Sequence, residues 1–313
     1  MIDLHVHTTC SDGKYTPCQV IQKAKENNVQ ILAITDHNTT KGYEEAKEEA
    51  RKLRIKLIPG IELEAKLTYY VTDTRQDRIY QAQEIVHILG YGVNGIEKDP
   101  RLQKIEKSRI NQIELFRKYL YKNRKSVSIE ELEKINHNYQ MQDLVKLLIE
   151  KNYYDKPKEV YSELKKLGYK RKVLNAKEAI EIIKEYGGIP IEAHFAQNYL
   201  HYPKSIKMLR LSEKVAKMKE LGIMGIETVH SSNKPGEKEE YIKMANKFKL
   251  IYTSGSDFHG RDREQIKIGR GFNGNTTASQ YETYKIMQGM NNAKRKILEN
   301  NQIMQQKEME YAR

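Results

Sequence analysis

The stretch IDLHVHTTCSDG, Ile2–Gly13, opens as a buried strand and then sets two imidazoles, His5 and His7, where a core takes apolar side chains. Residues i and i+2 on a strand face the same side, so both rings aim at one small volume. The pattern that follows is βα. Thr16 as N-cap and Pro17 at the first helical position open TPCQVIQKAKENN, and the strand QILAITDH (30–37), the helix KGYEEAKEEARKLR (41–54) and the strand IKLIPGIELEA (55–65) come next. Short, nearly continuous apolar strands alternating with amphipathic helices predict an α/β fold on a parallel sheet covered on both faces. The rhythm returns in GGIPIEAHF (187–195), GIMGIETVH (222–230) and KLIYTSGSDFHG (249–260), separated by helices around 206–221 and 238–249.

Three stretches stand outside that rhythm. Residues 99–175 are helical, rich in Lys and Glu, and read as an inserted cap between a first barrel part (1–98) and a second (176–275). KLTYYVTDTRQDRIYQAQE (66–84) reads as a β-hairpin or a loop beside the strand-end side, placed to reshape a pocket or to cover it. The tail, 276–313, reads as a long helix without a sustained heptad.

The 313 residues carry 38% hydrophobic and 31% charged side chains, enough for a sizeable core. No apolar run approaches the roughly 20 residues that cross a bilayer, and strand-like sequence from Ile2 leaves no room for a signal peptide, so a cytoplasmic location without membrane association is expected. Cys10 and Cys18 are too few for a disulfide scaffold and read as reduced thiols. The net charge of +13 favours anionic partners, although most basic residues are interleaved with Glu and Asp as on any solvated helix face. Oligomeric state is not legible.

Ligand-type side chains recur at strand ends. His5 and His7 close the first strand, Asp36 and His37 the second, and Glu62 ends the third. His87 begins HILGYG, His194 closes IPIEAH, Asp257 and His259 close the last strand, and Asp12 lies in the first loop. One such histidine is ordinarily a hydrogen-bonded structural residue. Several strand ends agreeing at the C-terminal rim of an α/β sheet predict a metal site, because imidazole and carboxylate suit zinc, manganese or iron. His137 and His201 read as surface residues, while His230 reads as either a substrate contact or a loop cap.

With these residues assembled, the chain resembles the PHP family, the polymerase and histidinol phosphatase group of metal-dependent phosphoesterases. DLHVHTTCSDGKYTP, AITDHNTTKG, PGIELEA, VHILGYG, GGIPIEAHF, GIMGIETVHSS and GSDFHG carry the resemblance in order, over roughly residues 2–271. Within it the likeness is greatest to stand-alone bacterial members that dephosphorylate nucleoside 3',5'-bisphosphates and trim short RNA from the 5' end.

The resemblance implies a distorted seven-stranded β/α barrel with a helical insertion and a site for three divalent ions (Mn, Fe or Zn). His5, His7, Glu62 and Asp257 would hold one ion, and Glu62 would bridge to a second completed by His87 and His194. Asp12, His37 and His259 would hold the third, with Asp36 orienting an imidazole. The implied reaction is attack of a metal-activated hydroxide on a phosphomonoester, with Asp257, His194, Glu62 and His230 catalytic. His230, Arg261 and Lys267 are candidate phosphate contacts, because each follows a strand that supplies the site or its neighbour.

One departure weakens the exact substrate: similar nucleotide phosphatases carry Gly-Arg-x-His where this chain reads YQMQDLVK (139–146). A nucleotide or short 5'-phosphorylated RNA is therefore the first expectation. Another small metabolite such as histidinol phosphate is the second. A nucleic-acid-binding protein with a structural metal site is the third.

Overall fold

The structure, a computed structural model, describes residues 1–73, 77–135, 139–197, 204–260 and 265–311. The first half runs β1 (Ile2–Val6), α1 (Pro17–Glu26), β2 (Ile31–Ile34), α2 (Lys41–Leu53), β3 (Lys56–Asp73) and β4 (Arg78–Tyr91). Four helices follow, α3 (Pro100–Lys122), α4 (Ile129–Ile135), α5 (Met141–Glu150) and α6 (Pro157–Lys166). The chain returns through β5 (Leu174–Asn175), α7 (Ala176–Glu185), β6 (Ile189–Glu192), α8 (Lys204–Glu220), β7 (Gly225–His230), α9 (Glu237–Lys247) and β8 (Ile251–Gly255). It ends in β9 (Ile266–Lys267), β10 (Gly271–Phe272) and α10 (Gln280–Tyr311).

The sheet has the order β1-β2-β3-β4-β6-β7-β8, with β5 paired on β3. It nearly closes into a seven-stranded barrel because β8 returns to β1: the Asp257 N–H donates to His5 O and the His7 N–H to Phe258 O, each at 2.9 Å. That approach needs a glycine at 255, where a Cβ would lie 2.2 Å from the Cβ of His5.

Local sequence accounts for the first elements. Thr16 and Gln19 form a reciprocal capping box across Pro17, a device that contributes about 1 kcal/mol. Val20, Ile21 and Ala24 of α1 then meet Ala46 and Ala50 of α2 over Val6, Leu32 and Ile34 of the sheet.

The sheet departs from the expected all-parallel pattern at β4, which pairs antiparallel with both β3 and β6. The connection from Asp73 to Arg78 is too short for a crossover helix, so the chain must turn back on itself. The stretch 66–84 is accordingly a hairpin, paired from Gly60–Tyr91 out to Asp73–Arg78, with residues 74–76 outside the described set. Its alternation explains its persistence: Leu67, Tyr69 and Val71 join Leu211 and Val215 of α8 in the core, while Tyr70 stays exposed. Each such burial contributes roughly 1.5–3 kcal/mol.

Two further layers matter for the site. Helices α3 to α6 pack around their own cluster, with Ile113, Phe116, Leu120, Leu144, Leu148 and Leu164 inside it. At the other end Ile286, Met290, Ala293 and Ile297 of α10 share a cluster with Ile2, Ile189 and Tyr91, the N-terminal ends of β1 and β6 and the C-terminal end of β4. Helix α10 therefore covers the end of the barrel opposite the histidines. Among the described residues no helix is long and apolar enough to cross a membrane.

Candidate metal centre

The strand ends converge as an i, i+2 reading of β1 requires. His5 Nε2 and His7 Nε2 lie 3.2 Å apart, and each is 3.4 Å from Asp257 Oδ1. Glu62 is the hub. Its Oε2 lies 3.2 Å from both His7 Nε2 and His37 Nδ1, and its Oε1 lies 2.9 Å from His87 Nδ1 and 3.3 Å from His194 Nε2. A third group forms around Asp12, whose Oδ1 is 3.3 Å from His259 Nε2 and 3.6 Å from His7 Nδ1, with Oδ2 3.9 Å from His37 Nε2.

These spacings are those of a ligand cage. Donor atoms on one ion at about 2.0–2.2 Å stand roughly 3.0–3.6 Å from one another, and the set is imidazole nitrogen and carboxylate oxygen throughout. His7, Asp12, His37 and His259 form one such group, His5, His7 and Asp257 another, and His37, Glu62 and His87 a third. The residues present fit divalent metal.

Charge at the centre is finely balanced. Burial works against the protonated imidazole of His7, but Asp257, Glu62 and Asp12 outweigh it and raise its pKa to about 10. His87 is likewise raised to about 10 against burial, by Glu62 and Glu64. For His194 burial wins, and the ring is lowered to about 4. Glu62 and Asp257 are buried, which opposes ionisation, yet the surrounding imidazoles hold both well below the usual carboxylate range.

Two positions differ from their reading in the sequence. Glu62 lies inside β3, which continues to Asp73, and reaches the rim because β2 has already ended; His37 bridges to it there. Among the described residues, the hydrogen bonds of Asp36 go to Thr8 and Ser11 rather than to an imidazole. Asp36 accepts from the Thr8 N–H and Thr8 Oγ, each at 2.7 Å, and from Ser11 Oγ at 2.5 Å, so it braces the loop after β1, and Ser11 Oγ is 3.4 Å from His7 Nδ1. His87 arrives at the rim because β4 runs antiparallel: Ile88–Tyr91 pair along β6 from Glu192 to Ile189, so His87, just before them, lies past the C-terminal end of β6.

His230 is buried at the end of β7, with Nε2 3.5 Å from Asp257 Oδ2. Its Nδ1 accepts from the Ser232 N–H at 3.1 Å, which leaves the ring proton on Nε2. Lys267 is exposed in β9 and does not line the cleft above the centre. Arg261, His137 and His201 lie outside the described residues.

Strand-end reasoning missed several groups. Glu227, inside β7, accepts from His5 Nδ1 at 3.1 Å and from the His194 N–H at 2.7 Å. Glu64 lies 3.5 Å from His87 Nε2 and pairs with Arg171 on the return from the helical segment. The available signal was a carboxylate inside an otherwise apolar strand, a placement that needs a partner. Above the centre a cleft of about 1290 Å³ opens between the barrel rim and the helices, lined on its far side by Arg109, Tyr139, Tyr161, Tyr169, Arg171 and Lys172.

The pattern of the PHP domain matches residues 3–227. The phosphoribosyl 1,2-cyclic phosphate 1,2-diphosphodiesterase of Eggerthella lenta is 28% identical over 276 residues, covering 83% of this chain and 94% of that protein. The 5'-3' exoribonuclease Rnm of Escherichia coli is 27% identical over 279 residues, 86% of this chain and 88% of its own. A candidate metal-dependent phosphoesterase from Bifidobacterium adolescentis has the same fold, with a TM-score of 0.64 at 19% identity over 92% of this chain and 96% of its own. Since the family pattern runs from β1 to β7 and takes in most of the histidines gathered at the rim, the chain belongs to the PHP domain family.

Proposed function

We propose that this metal-dependent phosphoric ester hydrolase acts on a nucleotide, either a 3',5'-bisphosphate or a short RNA with a free 5' phosphate. The observation that carries the reading is the cleft, which joins a cage of ligand side chains to a wall of cations and tyrosines. Phosphate would meet the cage and the guanidinium of Arg171, and a base would stack on tyrosine; guanidinium and aromatic faces are the usual partners of those groups. Arg171 enters from the far side of the cleft and takes the place of the Arg-x-His that the sequence lacks.

His5, His7, Asp12, His37, Glu62, His87, His194, Asp257 and His259 are the proposed ligands, for up to three ions drawn from manganese, iron and zinc. Bound there, divalent ions would lower the pKa of a coordinated water toward about 7 and offset charge on the phosphoryl oxygens. The chain's own part is positional. Glu62 and Asp257 stay ionised under the imidazoles that surround them, Glu227 fixes His5 with its Nε2 turned to the cage, and His230, buried and outside the lining of the cleft, turns its Nε2 to Asp257 Oδ2. Arg171, parked on Glu64, is available to a phosphate.

The test is phosphate release, with manganese supplied, from adenosine 3',5'-bisphosphate, a 5'-phosphorylated short RNA, histidinol phosphate and a ribose cyclic phosphate. Wild type is compared with Asp257→Asn. Release from the nucleotide or RNA that is lost in the variant supports the reading. Turnover of histidinol phosphate alone moves the substrate to a small metabolite. Salt-dependent RNA binding without turnover in metal-loaded protein overturns it in favour of a binding role.

A further inference from the structure

Lys214 of α8 is a buried lysine at the base of the cleft, with a side chain only 2% exposed. Its Nζ lies 2.6 Å from Oε1 of Glu192, itself fully buried, and donates to the backbone carbonyl of Phe195 at 2.7 Å. Glu84 of β4 stands 3.8 Å away. An ammonium is buried only with such compensation, and here its two short contacts fall on either side of the two-residue stretch Ala193–His194.

His194 needs that grip. Its φ of 28° is in the left-handed half of the map, where a residue with a Cβ is held only if its surroundings over-determine it. The His194 N–H is bonded to Glu227, which fixes the turn from one side; Lys214, bonded before and after the residue, fixes it from the other. The consequence is the direction of the ring, whose Nε2 is brought 3.3 Å from Glu62 Oε1.

We infer that Lys214 is a positioning residue for the metal centre, clamping Glu192 and Phe195 so that the strained turn between them presents His194 to the ion beside Glu62. The inference rests on the proposed metal centre. Lys214 is not one of the proposed ligands; it acts through His194. An ordinary buried ion pair that served stability alone would be replaceable by two apolar side chains. The clamp is not replaceable in that way, because an apolar side chain has no donor for the Phe195 carbonyl.

The experiment uses the full chain as Lys214→Met, Glu192→Leu and the double variant, measuring thermal unfolding and manganese binding by calorimetry. Lys214→Met is expected to lower the melting temperature and to weaken binding at one site by about 10–100-fold, the range seen when a group orienting a ligand is removed. The double variant buries no lone charge. It is expected to recover the melting temperature and to keep the weakened site. Recovery of both stability and manganese affinity in the double variant overturns the clamp and leaves a structural ion pair. Wild-type protein that takes up no manganese overturns the metal centre itself, and is told apart because no variant is then needed.

Discussion

His5 Nδ1 and Glu227 Oε1 are 3.1 Å apart inside the barrel, both fully buried, and the same carboxylate holds the His194 N–H with its other oxygen. A carboxylate on Nδ1 fixes the imidazole with its Nε2 lone pair toward Glu62 and Asp257, and so sets both tautomer and ring direction. Glu227→Gln keeps the shape and removes the charge. We expect manganese affinity to fall by about 10–100-fold with little change in secondary structure, read by calorimetry and circular dichroism. Unchanged affinity would show that His5 is oriented by packing alone.

Gly255 permits β8 to lie against β1. In Gly255→Ala the new Cβ would meet His5 Cβ at 2.2 Å and Glu227 Oε1 at 2.4 Å, contacts that force the strands apart. The expected cost is about 1–3 kcal/mol in denaturant unfolding, with activity lost more steeply than stability because His5 moves. A variant of wild-type activity would contradict so close an approach of the two strands.

Protonation at the centre predicts opposite pH trends with and without metal. His5, His7 and His87 have folded pKa values above the 6.5 of the free side chain, so they contribute stability that is complete below that pH and is lost as pH rises through the folded values, about 10 for His7 and His87. His37 and His194 are shifted down and are neutral in both states above pH 7, so they leave this window undisturbed. Chelator-treated protein should therefore lose melting temperature between about pH 7 and 10. Metal competes for the same nitrogens, so the stabilisation conferred by manganese should grow over that range. Parallel curves for the two forms would argue against ligation by these imidazoles.

The helical segment 99–175 is proposed as a separate cap. Phe116 sits in its own cluster, and Phe116→Ala should cost roughly 3–5 kcal/mol there. Manganese stoichiometry should be unchanged while KM rises, since the cap supplies the far wall of the cleft and no proposed ligand. Loss of metal in this variant would mean that cap and barrel fold as one unit.

At the opposite end, Ile286 of α10 is buried beneath the barrel. Ile286→Ala should destabilise by about 2–4 kcal/mol and leave kcat at 25 °C unaltered. A fall in kcat without unfolding would assign the helix a part in catalysis that its placement does not suggest.

Much of the rim was legible because period-2 alternation and strand ends are local properties. His5 with His7, His37, His194 and Asp257 with His259 could be placed on one edge before any fold was known, and the structure brings them within contact of one another. Glu62 and His87 were visible as residues but not in their setting. Whether a strand ends or continues into a hairpin depends on α8 covering Leu67, Tyr69 and Val71, residues separated from it by well over a hundred positions in sequence.

The amino-acid sequence by itself determined the βα alternation, the ligand types at the rim and the helical character of the insertion and tail, since each follows from local periodicity and side-chain chemistry. Tertiary structure alone decided the antiparallel course of β4, the bracing of His5 by Glu227 and the grip of Lys214 on either side of His194. Those depend on carboxylates and an ammonium driven out of water by the closing barrel, and which partner each one finds is fixed only when distant segments meet.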